Sequence, residues 1–220
     1  MSITFRQVRE NPEISVYIQK ADEAMRAIGY TEHSFPHVRK VAQGAAAILM
    51  ALDHPERTVE LARIAGYMHD IGNVVNRHDH AHSGAVMAFV VLCKLGMIPE
   101  EVAAITSAIG NHDEATGAPI NAVAAALILA DKCDVRRSRV RDAENVSTDI
   151  HDRVNYAVVE GAIDLNAEDM TITLRLKIDT ATSAVMDYFE IFLTRMLLCR
   201  RAAEYLNLRF KLVINDLELL

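Results

Sequence analysis

Cysteine is scarce in this chain, and no two cysteines have a CxxC spacing. Only Cys93, Cys133 and Cys199 occur among 220 residues, each inside a helical pattern. An odd, widely spaced set excludes a disulfide framework and reads as reduced thiols in a cytoplasmic protein. Basic charge is also short: 23 Lys and Arg stand against 30 Asp and Glu, for a net charge of −7. Proteins that coat nucleic-acid polymers or anionic membranes carry the opposite excess, which argues against both partners. Long apolar runs are missing. The stretches 84–93 and 122–130 are about half the ~20 residues that a membrane span needs. The opening MSITFRQVRENPE lacks the basic start and apolar run of a secretory signal. There is no internal repeat and no low-complexity tract. What remains is an ordinary globular composition, 51% hydrophobic and 24% charged, long enough to bury a core.

Up to about residue 143 the pattern is a series of helices. Expected elements are 12–28, 34–52, a helix after Pro55 that ends at Gly72, 81–95, 99–111 and 120–134. The segment 81–95 is apolar on nearly every side, as expected of a central buried helix. The period then changes. Ile172, Leu174, Leu176 and Ile178 alternate with polar residues, as do Leu208, Phe210, Leu212 and Ile214. A long amphipathic helix, about 181–206, lies between them. The fold class expected is therefore mainly α, with a C-terminal strand–helix–strand appendage. The polar stretch 142–148 marks the boundary between a helical domain, 1–145, and a C-terminal subdomain, 146–220, made of a helix plus that unit. Two strands alone are marginal, so the appendage must pack on the helical domain, pair with a second copy, or both. Pairing of strands between two chains would remove exposed edges and give a homodimer.

Four apolar stripes end on polar side chains. Four residues before Val41 stands His37; Leu61 and Ala65 continue to His69, with Asp70 next; Val102, Ile105 and Ile109 continue to His112; Val123 and Leu127 continue to Asp131. Positions three and four apart share a helix face, so four helices each aim a His or Asp at the interior. A single interior histidine is an ordinary hydrogen-bonded core residue. Two carboxylates buried among several imidazoles are costly without a cation. A bound metal cancels their charge and uses the lone pairs. Imidazole with carboxylate and no convergent cysteine suits divalent Fe, Mn, Co, Ni or Zn better than a structural zinc finger, and better than Mg²⁺.

The ordered set His37, His69-Asp70 in YMHDIG, a histidine in HDHAHSGA, His112 in AIGNHDE and Asp131 in LILADKCD resembles the HD-domain superfamily over roughly residues 30–140. The resemblance implies a helical domain that holds one or two metals and acts as a phosphohydrolase. It makes His37, His69, Asp70 and Asp131 ligands of a first metal, with Asp70 bridging to a second. It places His80, four residues before Gly84, and His112 on that second metal; His78 and His82 are alternatives to His80. Asn73 stands where many dinuclear members have the lysine of HDIGK. His112-Asp113 stands where cyclic-dinucleotide phosphodiesterases of the family have paired histidines, and the chain has no GYP element, which argues against cyclic di-GMP hydrolysis.

The expected chemistry is hydrolysis of a nucleotide or small phosphoester substrate by attack of metal-bound hydroxide. Asp70 and Lys132 are the candidate catalytic residues. Lys132, Arg136, Arg137, Arg139 and Arg141 follow Asp131 closely. Lys132 and Arg136, nearest the ligand and on one helix face, are the candidates for substrate phosphate; the bland reading of this run is a solvated face paired with Asp142, Glu144 or Asp149. Glu114 and Asp113 are either carboxylates that orient His112 or loop acids, and Tyr67 and Met68 read as core. The same six ligands also resemble HD-type mixed-valent di-iron oxygenases, and a regulatory module that holds a metal without catalysis is the third reading. The strand–helix–strand tail carries no catalytic motif of its own.

Overall fold

The computed structural model describes residues 2–141 and 150–219. The expected boundary at 142–148, and the acids Asp142, Glu144 and Asp149, lie outside the described residues. The chain is mainly α. Helices α1 (Phe5–Arg9), α2 (Pro12–Ala27), α3 (Phe35–Ala51), α4 (Glu56–Met68), α5 (His80–Lys94), α6 (Pro99–Gly110) and α7 (Ala122–Lys132) come first. Then follow α8 (Ile150–Ala157), β1 (Val158–Asn166), β2 (Thr171–Ile178), α9 (Val185–Tyr205), β3 (Arg209–Ile214) and β4 (Leu217–Glu218).

Local chemistry sets several of these starts. Asn11 Oδ1 accepts hydrogen bonds from the N–H groups of Glu13 and Ile14, and Pro12 occupies the first turn of α2. Asn121 Oδ1 accepts from Ala124 N–H at 2.7 Å and so opens α7.

The buried centre is α7, not α5. Every residue of α7 from Val123 to Lys132 is buried, and the helix packs on α3, α4, α6 and α9. Helix α5 turns one apolar face outward through Val86, Phe89 and Val90, so its all-round hydrophobicity does not mark a central helix. The helix after Pro55 also stops earlier than expected. It ends at Met68, and the chain continues through His69 and Asp70 into a 3₁₀ turn, Ile71–Val74.

Two glycines bring these segments together by lacking a side chain. A Cβ on Gly66 would stand 2.8 Å from Ala42 Cα, so α4 lies directly on α3. A Cβ on Gly72 would stand 2.0 Å from His80 O and 2.4 Å from Gly84 N. Gly72 is therefore needed for the close approach of the 3₁₀ turn to α5, not as the end of a helix.

Among the described residues the tail holds four strands where two were expected. The order is β1-β2-β3-β4. β1 and β2 are antiparallel, β2 and β3 parallel with α9 as their crossover, and β3 and β4 antiparallel. β1 is mostly solvent-exposed, so it shows little apolar alternation, and β4 has only two residues. Ile172, Leu174, Phe210 and Leu212 belong to the same hydrophobic core as the helices. Cys133 and Cys199, distant in sequence, meet where α7 packs on α9, their Sγ atoms 4.0 Å apart as free thiols.

Gly72→Ala should cost about 3 kcal/mol or more, because backbone atoms and not a flexible side chain fill the space. Gly110→Ala, whose Cβ would meet Ala85 Cβ at 3.6 Å, should be neutral or slightly stabilising. Chemical denaturation of the two variants checks this, and equal stabilities would contradict it.

Candidate metal centre

His37 comes from the first turn of α3, His69 and Asp70 from the residues after α4, and His80 from the first position of α5. His112 follows α6, and Asp131 lies in the last turn of α7. These six side chains converge, and none of the six residues is more than 8% exposed. His78 and His82 do not join them: their side chains are 88% and 59% exposed and lie beside Asp79. Tyr67 and Met68 are core residues.

Each imidazole is fixed by its Nδ1. His37 Nδ1 meets Asp134 Oδ2 at 2.8 Å, His69 Nδ1 the Gly66 carbonyl at 2.9 Å, His80 Nδ1 the Arg77 carbonyl at 3.1 Å and His112 Nδ1 the Ile109 carbonyl at 2.6 Å. A carbonyl can only accept, so in His69, His80 and His112 the Nδ1 carries a proton, which leaves Nε2 as the atom that can bind a metal. This is how a protein orients metal-ligating histidines. The Nε2 atoms of His37 and His69 are buried and have no hydrogen-bond partner.

Asp70 divides the Nε2 atoms into two groups. Its Oδ2 lies 3.5 Å from His37 Nε2 and 3.2 Å from His69 Nε2, and Asp131 Oδ1 lies 3.4 and 3.6 Å from the same two atoms. Its Oδ1 lies 3.7 Å from His80 Nε2 and 3.9 Å from His112 Nε2, which are 3.2 Å from each other. Ligand atoms bound at about 2.1 Å to one tetrahedral or octahedral ion stand roughly 3.0 to 3.4 Å apart. The first group's distances, 3.2 to 3.6 Å, fall within or just above that spacing, and its donors are of the right chemistry. These residues fit a divalent transition metal ion.

The electrostatics point the same way. Burial opposes ionisation of Asp70 and Asp131, yet neighbouring His69 and His37 for Asp70, and Lys132 for Asp131, hold both well below the usual carboxylate range. Burial should also disfavour a charged His69, but Asp70 and Asp131 outweigh it and raise the imidazole to about 10. Two ionised carboxylates thus draw a proton onto a histidine where a cation would otherwise serve. His112 is pushed the other way, by burial and then Lys132, and stays neutral.

A cavity of about 470 Å³ opens onto Asp70, His80, His112 and Asp131. Its wall carries Lys132, Arg77, Arg139 and Arg195. Lys132 is buried, with Nζ 2.9 Å from Asp131 Oδ2 and 2.7 Å from Glu114 Oε2. Arg136 does not line this cavity: its guanidinium meets Asp134 Oδ1 at 2.9 Å and Glu32 Oε2 at 3.4 Å. It instead neutralises the carboxylate that holds His37. Arg137 turns away as well, donating to the Tyr156 carbonyl.

Sequence reasoning missed His33, Arg77, Asp134 and Arg195. His33 lines the cavity and meets the His37 ring edge-on, with centroids 5.7 Å apart; its i, i+4 spacing from His37 was the available signal. Asp134 follows Asp131 by three residues, which is the corresponding signal there. Arg77 Nη1 lies 3.3 Å from His80 Nε2, so a metal on His80 requires this guanidinium to turn away. Arg195 reaches the cavity from α9, and nothing in its local sequence indicates this.

Metal uptake should therefore release protons. With His69 protonated up to about 10, a metal must displace that proton at neutral pH, and affinity should rise about tenfold per pH unit for each proton displaced. Calorimetry in buffers of different ionisation heat checks the release. An affinity constant between pH 6.5 and 8.5 would contradict it.

The HD domain family model matches residues 35–136. That span contains all six converging residues. No curated protein matches the chain in sequence. Among solved structures, one described as a predicted HD superfamily hydrolase, from an uncultured Thermotogales bacterium, is 25% identical. The match covers 56% of this chain and 67% of that one, with a TM-score of 0.45. Residues 35–136 thus match the HD domain, and the ordered H, HD, H, H, D residues of that span converge on one buried centre.

Proposed function

We propose that this protein is a metal-dependent phosphohydrolase acting on a nucleotide or small phosphoester at a dinuclear site. The observation that carries the reading is Asp70, whose Oδ2 faces the Nε2 atoms of His37 and His69 and whose Oδ1 faces those of His80 and His112. In this reading His37, His69, Asp70 and Asp131 hold one ion, and Asp70, His80 and His112 the other. Divalent ions bound there would act as Lewis acids, lowering the pKa of coordinated water and polarising a phosphoryl oxygen.

The protein's own groups then have distinct tasks. Asp70 and Asp131 supply negative charge that keeps the ions in place. Asp134, through His37 Nδ1, fixes one ligand's orientation. Lys132 stays protonated: burial would lower its pKa, but Asp131 and Glu114 raise it. It therefore serves as a fixed positive charge toward phosphate and not as a base. The cationic side chains on the wall and the limited volume of about 470 Å³ favour a small anion over a polymer. No helix among the described residues is long and apolar enough to cross a membrane. Homodimer formation through the C-terminal unit belongs to the same proposal and draws on its solvent-exposed β1.

The test is hydrolysis of aryl phosphomonoesters, aryl phosphodiesters and a nucleotide panel by Mn²⁺- or Fe²⁺-reconstituted protein. Asp70→Ala should abolish turnover with the fold retained. Asp134→Ala should reduce metal affinity or turnover by about 10- to 100-fold. Wild-type rates in Asp70→Ala would refute the reading. Oxygen uptake by the iron form without phosphoester turnover would favour the oxygenase reading instead.

A further inference from the structure

Arg195 lies outside the span that matches the HD domain, on the helix that crosses between β2 and β3. It nevertheless lines the cavity that holds Asp70, His80, His112 and Asp131. Its guanidinium sits 4.4 Å over the Phe192 ring, which fixes its plane. Its Nη2 lies 3.3 Å from Glu114 Oε1, while Lys132 Nζ lies 2.7 Å from Glu114 Oε2. One carboxylate thus spaces two cations, one from α7 and one from α9. Two features separate Arg195 from an ordinary structural ion pair. Its one contact to Glu114 is long, and its Nε is buried with no hydrogen-bond partner. A buried donor left unpaired is costly, and a planar guanidinium beside a cavity matches the geometry of phosphate oxygens.

We propose that Arg195 and Lys132, held apart by Glu114, form a two-cation clamp for the non-bridging oxygens of a phosphoester, so that the C-terminal unit completes the substrate site. The proposal rests on the phosphohydrolase reading and extends it. Lys132 adjoins Asp131 in sequence and touches its carboxylate, so the clamp stands beside the metal centre. Arg195 is a substrate-binding residue here, and Glu114 a positioning residue.

The experiment compares wild type, Arg195→Gln and Arg195→Lys as full-length, Mn²⁺-loaded protein. Two quantities are read: the Kd of inorganic phosphate by calorimetry, and KM and kcat with p-nitrophenyl phosphate. Arg195→Gln should weaken phosphate binding and raise KM by about tenfold or more, with metal content and melting temperature unchanged. Arg195→Lys keeps the charge and loses the fork, and should weaken binding by at least about threefold; it decides the question if Arg195→Gln does not fold. Phosphate binding within twofold of wild type in a folded, metal-loaded variant overturns the clamp. Turnover by wild type that does not depend on Arg195 removes the clamp and leaves the phosphohydrolase reading intact. Phosphate binding that depends on Arg195, without turnover of any phosphoester, keeps the clamp as an anion site and removes that reading.

Discussion

Asp70 and Asp131 remain ionised in the interior of a helical domain, and the arrangement around them follows from that. Carboxylates out of water need compensating charge and hydrogen-bond donors. Here the surrounding groups include four imidazoles whose Nδ1 atoms are already engaged. The Nε2 atoms of His37 and His69 face the same space, buried and without a hydrogen-bond partner. Negative charge and lone pairs concentrated at one buried point are unfavourable for a protein alone and favourable for a cation. Packing brings them together. α7 is buried along its length to deliver Asp131, and Gly66 and Gly72 let α4 and the 3₁₀ turn approach α3 and α5 closely enough to place His69, Asp70 and His80.

Positive charge is arranged around this centre in a ring of partners. Arg136 and Lys40 neutralise Asp134, which holds His37. Lys132 bridges Asp131 and Glu114. Arg139 donates to the carbonyls of Glu32 and Asp134, tying the segment before α3 to the segment after α7. The C-terminal unit is joined to this frame by the packing of α9 on α7, where Cys133 meets Cys199, and by a core that runs without a break from helices to sheet.

Much of the centre was legible because it lies at the ends of helical stripes. His37, His69, His112 and Asp131 continue apolar repeats, so their inward direction follows from spacing. His80 was harder, since His78 and His82 flank it in a polar segment; only the start of α5 and the contact of Gly72 with its first turn decide which histidine points inward. Arg136 looked like a phosphate ligand because it shares a helix face with Lys132. α7 ends at Lys132, however, and the chain turns, so the spacing no longer applies. Arg195 was illegible because its role depends on how a distant helix packs. β1 was missed because a strand exposed along most of its length needs no apolar alternation, and α5 was misjudged because Val86, Phe89 and Val90 are tolerated at the surface.

The account stands on the claim that a cation belongs among these six side chains. Elemental analysis of metal per chain, on protein purified without chelator and on the Asp131→Asn variant prepared alongside it, tests this most directly. The account predicts close to two transition-metal ions per wild-type chain and a clear loss in the variant. Wild-type protein that carries no metal, and takes up none when offered Fe²⁺, Mn²⁺ or Zn²⁺, would contradict it.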